Sequence, residues 1–358
     1  MLIHGGDITG FEERYGTIPL DFSVNSNPFG LSPKAEAALH SAAKRACQYP
    51  DPLYRRLRLA IAKHEALSPE WIFCGNGAAD LIWRIVYAVR PRHALLMAPT
   101  FLEYDKALTC VHCHVEHYLL REREDFQPGE DFLDRITEKT DILFLCHPNN
   151  PTGLLTEQGL LIRILEQCRE KHVLLVVDEC FLGFLAQAER LTLKSYLSAY
   201  PNLLILKAFT KLYGMAGLRL GYCLGSDPTL LSSLGQTGQC WPISVIAEEA
   251  GIAALQDSPF VQKTLSFLAP ERERVACALK KLDMRVWPGQ ANYLFFRTKL
   301  PHFQHRLAEK GILIRNCGNY PGLDDSYCRI AILTPPDNDR LLTAIKEVAE
   351  EASIKRNI

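Results

Sequence analysis

The chain has 358 residues, 47% hydrophobic and 23% charged, which is ordinary for a globular protein long enough to form two domains. Its net charge of −1 provides no overall field to attract nucleic acid or an anionic membrane. Residues 1–10 show no export signal, and no apolar run approaches membrane-spanning length. We therefore expect a cytoplasmic protein whose twelve cysteines are reduced thiols, with no nucleic-acid or membrane partner.

The N-terminal segment has weak secondary-structure signals. His4-Gly5-Gly6-Asp7 fits either a flexible arm or an arm folded over a pocket, with its histidine facing an anion. Leu20–Pro28 is a short extended piece in which Asn25 either caps a turn or contacts a ligand. A helix is predicted over 33–46, followed by a rigid turn at Tyr49-Pro50-Asp51-Pro52.

Between residues 71 and 224, short apolar runs alternate with helical patterns. Helices are predicted over 78–89 and 157–171. The predicted strands cover 71–74, 94–98, 115–118, 141–146, 173–177, 203–206 and 220–224. This alternation predicts a mostly parallel sheet covered by helices on both faces.

One segment within this region, Cys110-Val111-His112-Cys113-His114, combines a C-x-x-C spacing with two histidines. A zinc site of this type needs a second ligand pair at a finger-like distance, and none follows. We therefore interpret the segment as a helix-to-strand connection and expect no metal site.

Groups suited to ligand binding follow several of these strands. Gly75-Asn76-Gly77 leads directly into a helix, where free backbone N–H groups and the helix dipole favour an anion. Phe101 either stacks on a flat ligand or packs in the core, and prolines on both sides hold Asn150 in its loop. Asp178 ends a buried strand, and Lys211 follows another. Because parallel sheets bind ligands at the carboxyl ends of their strands, we predict one shared site.

Lys211 lies in the glycine-rich stretch Thr210–Gly221, eight positions before Arg219. A desolvated lysine is a nucleophile, and an arginine nearby suits a phosphate. Pyridoxal phosphate (PLP) enzymes need both, although a surface loop with solvated charges has the same pattern.

The C-terminal third mixes helices and strands. Helices are predicted over 247–255, 260–282, 303–309 and 337–351, and strands over 291–296, 312–314 and 327–333. We predict an α/β protein with an N-terminal arm (1–30) that packs with a small domain, a large domain (31–258), and a smaller C-terminal α+β domain (259–358).

Three motifs in one order resemble the fold-type I PLP-dependent aminotransferase superfamily along nearly the whole chain: Asn149-Asn150-Pro151-Thr152-Gly153, Asp178-Glu179 and Lys211…Arg219. Within it, the chain is similar to histidinol-phosphate aminotransferases and, more closely, to the L-threonine-O-3-phosphate decarboxylases of cobalamin biosynthesis. The features shared with the decarboxylases are His4-Gly5-Gly6, Asp21–Pro28, Gly217–Gly221, residues 315–323, and Phe181 where the aminotransferases usually have tyrosine.

The resemblance implies a role for each site residue. Lys211 would hold PLP covalently, and Asp178 would keep the ring nitrogen protonated, so these two would be catalytic. The cofactor would further contact Gly75, Asn76, Gly77, Phe101, Asn150, Thr210, Arg219 and, from the neighbouring subunit of a homodimer, Tyr49. The substrate would contact His4, Gly5, Asn25, Asn150, Arg315 and Arg329.

Two positions depart from the family pattern. Ala208 stands where a serine or threonine usually binds the cofactor phosphate, so Thr210 would carry more of that contact. Phe181 cannot donate a hydrogen bond to the ring hydroxyl, which leaves that group to Asn150.

The implied reaction is decarboxylation of L-threonine O-3-phosphate to (R)-1-amino-2-propanol O-2-phosphate. Three alternatives are open: transamination of histidinol phosphate, the same decarboxylation of O-phospho-L-serine, and ligand binding by a regulator without turnover. The intact Lys211, Asp178 and Arg219 argue against the regulator. Serine phosphate lacks one methyl group, which a pocket distinguishes by only about 1–3 kcal/mol.

Overall fold

A computed structural model describes residues 4–356, with side chains placed over 4–352. The predicted arm and small domain therefore each extend a few residues beyond the described part, at 1–3 and 357–358. The N-terminal segment forms helix α1 (Ile8–Tyr15) and strand β1 (Leu20–Asp21). The sequence pattern does not predict α1, because Phe11 is its one buried residue and leaves almost no apolar stripe.

A seven-stranded sheet forms the centre of the fold. Its strands are β2 (Ile72–Gly75), β3 (His93–Ala98), β4 (His114–Leu119), β5 (Ile142–Cys146), β6 (Leu174–Asp178), β7 (Leu203–Ala208) and β8 (Gly221–Leu224). They lie in the order β2-β8-β7-β6-β5-β3-β4, and β8 is antiparallel to both of its neighbours. Strands β4, β3, β5, β6 and β7 pair in parallel, which confirms the predicted mostly parallel sheet.

Helices cover both faces of this sheet. They are α2 (Pro33–Ala42), α3 (Arg55–Glu65), α4 (Gly77–Val89), α5 (Glu103–Cys110), α6 (Gln158–Glu170), α7 (Ala188–Leu191), α8 (Phe209–Leu212), α9 (Pro228–Gly235) and α10 (Val245–Ala254). Alternate residues of a central strand enter different apolar layers: Leu143 and Leu145 pack on one side, and Phe144 and Cys146 on the other. Burial on both faces is why the parallel strands are continuous apolar runs in the sequence.

The C-terminal part contains α11 (Ser258–Lys281), β9 (Arg285–Val286), β10 (Tyr293–Arg297), α12 (Phe303–Glu309), β11 (Ile312–Leu313), β12 (Arg315–Asn316), β13 (Tyr327–Ala331) and α13 (Pro335–Arg356). An antiparallel sheet in the order β12-β13-β10-β9 packs on its own apolar cluster. Strand β1 pairs in parallel with β11, placing Leu20 beside Ile312. The α/β fold class is confirmed, and the division into domains stays a prediction.

The cysteine- and histidine-containing segment connects α5, which ends at Cys110, to β4, which begins at His114. All twelve cysteines are free thiols. Within the described residues, no helix is both long enough and apolar enough to span a membrane.

Candidate active site at the carboxyl edge of the sheet

The strand register brings the predicted groups to one edge. Asp178 pairs with Cys146 on one side and with Leu206 on the other. Gly221, the first residue of β8, lies between Ala208 and Gly75. Because β8 runs in reverse, the residues just before it reach the same edge as the residues just after the parallel strands.

Lys211 lies in α8, directly after β7. Burial disfavours its ammonium form and, together with the positive charge of Arg329, lowers its pKa to about 8. Its Nζ atom lies 5.4 Å from the centre of the Phe181 ring. This environment holds an amine that deprotonates far more readily than an ordinary lysine, as a nucleophile requires.

The backbone around Lys211 is fixed by the N-terminal segment. Asn27 donates its side-chain amide to the carbonyl oxygen of Leu212 at 2.6 Å. Gly214 has a φ of +67°, and a Cβ atom added there would lie 1.9 Å from the carbonyl oxygen of Gly30. Glycine is therefore required at this close approach of two chain segments.

Asp178 accepts hydrogen bonds from a tyrosine hydroxyl and from a backbone N–H. Its Oδ2 atom accepts the Tyr104 hydroxyl at 2.6 Å, and its Oδ1 atom accepts the backbone N–H of Cys180 at 3.0 Å. The side chain is buried, and these contacts fix the plane of the carboxylate.

The turn between β2 and α4 forms a cradle with the segment before β8. Gly77 has a φ of +80°, and a Cβ atom there would lie 3.0 Å from Nη2 of Arg219. A Cβ atom on Gly221 would lie 2.8 Å from the backbone nitrogen of Ala78. A guanidinium beside the start of a 13-residue helix suits a phosphate.

The other residues predicted to hold the cofactor phosphate at this cradle differ in their exposure and in the hydrogen bonds that they already make. Thr210 is buried in α8, and Arg219 is exposed. Asn76 donates its backbone N–H to Asp80 at 2.9 Å and its side-chain amide to the Pro242 carbonyl oxygen at 2.6 Å. Its backbone N–H and one side-chain N–H are thus used within the protein, and its cofactor contact stays a prediction.

Arg329 reaches the site from β13 and is buried. Nη1 donates to Oδ1 of Asn150, and Nη2 donates to the carbonyl oxygen of Ser23 at 2.8 Å. Its Nε atom has no hydrogen-bond partner among the described residues. The loop that carries Asn150 is fastened by Asn149, which donates to the Pro99 carbonyl oxygen at 3.0 Å.

Arg315 lies directly opposite Arg329 on the neighbouring strand β12 and is also buried. It donates to Oδ1 of Asn319 at 2.8 Å. Asn25 is buried as well, and within the described residues its Oδ1 atom has no partner.

The N-terminal arm lies against Phe101, the residue that we predict to stack on the cofactor ring. The His4 ring lies 5.5 Å from the Phe101 ring, and its Nε2 atom lies 2.6 Å from Oε1 of Glu103. The anion that His4 faces is thus a carboxylate of the protein. Gly5 packs so closely that a Cβ atom would lie 2.5 Å from the Ser23 carbonyl oxygen.

Tyr49 lies on an outer surface of the described chain. It is 80% exposed, and its ring centre lies 4.6 Å from that of Trp241, with the two ring planes tilted by 35°. Conversely, the sequence reasoning missed Tyr104 and Ser23. The sequence places Tyr104 three residues after Phe101 and so indicates that it lies near the site. Its contact with Asp178, a residue 74 positions further along the chain, is not indicated by the sequence.

Comparison with known proteins identifies the family. The family model described as aminotransferase class I and II matches residues 17–345. The chain belongs to this family. Over 351 residues it is 38% identical to threonine-phosphate decarboxylase of Salmonella typhimurium, covering 96% of each chain. It is also 34% identical to histidinol-phosphate aminotransferase of Roseiflexus castenholzii, covering 94% of this chain and 92% of the relative.

The solved structures show the same fold. Histidinol-phosphate aminotransferase of Sinorhizobium meliloti, in complex with PLP, matches with a TM-score of 0.89 and 23% identity, over 97% of this chain and 95% of the other. The resemblance to the aminotransferase superfamily and to threonine-phosphate decarboxylases is confirmed. This aminotransferase-family chain is a PLP-dependent enzyme.

The residues at the sheet edge fit that cofactor. The lysine of lowered pKa suits the aldehyde, the fixed carboxylate suits the ring nitrogen, and the glycine cradle with Arg219 suits the phosphate. The buried Nε of Arg329 has no partner in the part of the chain that the structure describes, and a ligand would satisfy this donor.

Proposed function

We propose that the protein decarboxylates L-threonine O-3-phosphate, releasing CO₂ and (R)-1-amino-2-propanol O-2-phosphate for cobalamin biosynthesis. Its similarity to threonine-phosphate decarboxylase of Salmonella typhimurium supports this substrate. The observation that carries the proposal is the pair of buried arginines on neighbouring strands.

Arg315 and Arg329 are cross-strand partners, an arrangement in which like charges repel. The hydrogen bonds of Arg329 go to neutral oxygens of Asn150 and Ser23. A substrate with both a carboxylate and a phosphate offers one anionic group to each of the two guanidinium groups. L-threonine O-3-phosphate is such a substrate, whereas histidinol phosphate has no carboxylate.

When bound, PLP supplies an electron sink for the electron pair of the bond that breaks at the substrate Cα. In our proposal, Asp178 maintains the ring nitrogen in its protonated state. Arg329 and Asn150 would bind the substrate carboxylate and fix the direction of its bond to Cα. As an ammonium, Lys211 Nζ would donate a proton to Cα after CO₂ has left.

Histidinol-phosphate aminotransferase is the second candidate, because a relative with that name is 34% identical over nearly the whole chain. The PLP-binding groups do not separate the two reactions, since both begin at the same lysine. Phe181 favours the decarboxylase, because the aminotransferases usually have tyrosine there.

We also propose a homodimer in which Tyr49 reaches the cofactor phosphate of the second subunit. Tyr49 and Trp241 form an exposed aromatic pair, which supports a contact surface. Light scattering of the purified protein should give twice the chain mass. A monomer that retains full activity would contradict this assembly.

The substrate assignment is tested by supplying the PLP-loaded protein separately with L-threonine O-3-phosphate, O-phospho-L-serine and histidinol phosphate. We expect CO₂ and a phosphorylated amine from the first, with a kcat/KM about 10- to 100-fold above that of the second. Turnover of histidinol phosphate alone, dependent on 2-oxoglutarate, would exclude the proposed reaction.

A further inference from the structure

Tyr104 is a fully buried tyrosine whose hydroxyl touches the candidate site. It is the second residue of α5, one helical turn after Phe101. A tyrosine hydroxyl buried in an apolar layer needs a partner, because an unpaired one costs about 1–3 kcal/mol. Here the partner is Oδ2 of Asp178, at 2.6 Å.

The distance is that of a hydrogen bond between a hydroxyl and a carboxylate anion. Burial and the neighbouring Asp178 carboxylate raise the pKa of Tyr104 well above its usual value. The phenol therefore keeps its proton and acts as a permanent donor. The Cys180 N–H donates to the other oxygen, and the Cys180 thiol also contacts the carboxylate, so Tyr104 and Cys180 hold Asp178 from two sides.

The Tyr104 ring is itself immobilised. It stacks on Phe144 of β5, with ring centres 4.9 Å apart and planes 12° from parallel. Its edge meets Phe101 at 5.6 Å, with planes 85° apart. One tyrosine thus links the residue expected above the cofactor ring to the carboxylate expected at its nitrogen.

We propose that Tyr104 is a positioning residue, which fixes the Asp178 carboxylate in the orientation that pairs with the ring nitrogen of PLP. The inference rests on the proposed role of Asp178. Without the hydroxyl, the carboxylate keeps only its contacts with Cys180 and rotates more freely about its side-chain bonds. The cofactor then has to order that carboxylate when it binds, which weakens binding.

The decisive experiment measures the Kd of PLP for the apoprotein and its Tyr104→Phe variant by fluorescence titration. Phenylalanine keeps the stacked ring and removes one oxygen, so the packing against Phe144 is retained. We expect the Kd to rise about tenfold, as for loss of a hydrogen bond to a charged group. Tyr118→Phe is the matched control, since Tyr118 donates to Asp131 at 2.8 Å at an exposed position; it should leave the Kd unchanged.

A double-mutant cycle separates positioning from packing. Asp178→Asn removes the carboxylate on which Tyr104 acts, so adding Tyr104→Phe to it should cause less than a twofold further loss. The cycle stays informative even if Tyr104→Phe lowers stability, because both backgrounds carry the same packing change. An equal tenfold loss in both backgrounds would overturn the inference, and so would a wild-type Kd for Tyr104→Phe.

The visible absorption of the bound cofactor provides a further test, because a general loss of rigidity in the protein would not shift its pH midpoint. The pH midpoint of the bound cofactor's visible absorption should shift in Tyr104→Phe and stay fixed in Tyr118→Phe. The titratable groups that act on this part of the site are Asp178, Cys146, Cys180 and Lys211, with the charges of Arg219 and Arg329 nearby. An unmoved midpoint in Tyr104→Phe would contradict the inference. If Asp178→Asn leaves the Kd of PLP unchanged, Asp178 does not contact the cofactor as proposed, and the inference about Tyr104 fails with it. The substrate assignment would not be affected, because a separate assay tests it.

Discussion

At the scale of single residues, the most informative group is Lys211. Burial and the charges of Arg329 and Arg219 lower its pKa to about 8. At that pH, half of the molecules therefore carry a neutral Lys211 amine. Only the neutral amine attacks an aldehyde. The rate at which apoprotein captures added PLP should therefore rise with pH and level off above a midpoint near 8. Stopped-flow absorbance between pH 6.5 and 9.5 measures this, and a flat profile would contradict it.

The same burial makes Lys211 a stability liability in the apoprotein. The folded pKa lies below the ordinary 10.5, so the unfolded chain binds more protons between about pH 8 and 10.5. The destabilisation caused by the buried ammonium group is therefore complete below pH 8 and is lost as the pH rises from about 8 to 10.5. At pH 7, Lys211→Met should raise the Tm of the apoprotein by about 2–5 °C. Lys139→Met, at an exposed lysine, should leave the Tm unchanged.

Arg329 tests the assignment of the substrate anchor. Lysine keeps the charge but loses the planar fork that donates to Asn150 and Ser23. Arg329→Lys should lower kcat/KM for L-threonine O-3-phosphate about 100-fold, while the Kd of PLP changes less than about threefold. Arg297→Lys, at an exposed arginine on the adjoining strand β10, serves as the control. Equal losses in both variants would show that Arg329 acts only through the fold.

At the scale of elements, a buried ionic cluster ties α3 to the strands that carry the site. Glu65 of α3 is 2% exposed and lies 3.1 Å from Lys207 Nζ of β7 and 3.3 Å from Lys194 Nζ. It also accepts the Tyr222 hydroxyl of β8 at 2.5 Å. Burial alone would raise the pKa of Glu65, but these partners hold it at about 2.

This cluster predicts acid sensitivity. Because the folded pKa lies below the ordinary 4.5, the stabilisation is fully present above about pH 4.5 and is lost as pH falls toward 2. Glu65→Gln should lower the free energy of unfolding at pH 7 by about 3–5 kcal/mol, since it removes the buried carboxylate that lies between two lysines and leaves Lys207 only Glu179, at 3.7 Å. Glu138→Gln breaks an exposed pair with Lys171 and should change it by less than about 1 kcal/mol. Urea unfolding measures both, and equal effects would contradict the role of burial.

At the scale of the whole molecule, the strands of the parallel sheet are predictable because burial on both faces leaves continuous apolar runs. Helices α1 and α9 are not, since each buries only one or two side chains against the core. The reversed direction of β8 cannot be read from its four residues, because all four are buried and a run of buried residues gives the same pattern in either direction.

The candidate site is also predictable from the sequence only in part. Lys211, Asp178 and the glycine turn follow strands, so the rule for parallel sheets places them together. The pairing of Arg315 with Arg329 and of Tyr104 with Asp178 depends on strand register and helix packing between distant segments. Local sequence carries no information on either, and these contacts require the structure.

The central claim is that the site breaks the bond from Cα to the carboxylate and needs no amino-group acceptor. Its most direct test is the stoichiometry of CO₂ and amine formed from L-threonine O-3-phosphate by the PLP-loaded enzyme, with no oxo acid added. We predict one CO₂ per (R)-1-amino-2-propanol O-2-phosphate over many turnovers, and no change when 2-oxoglutarate is supplied. Turnover that requires 2-oxoglutarate, yields glutamate and releases no CO₂ would contradict the account.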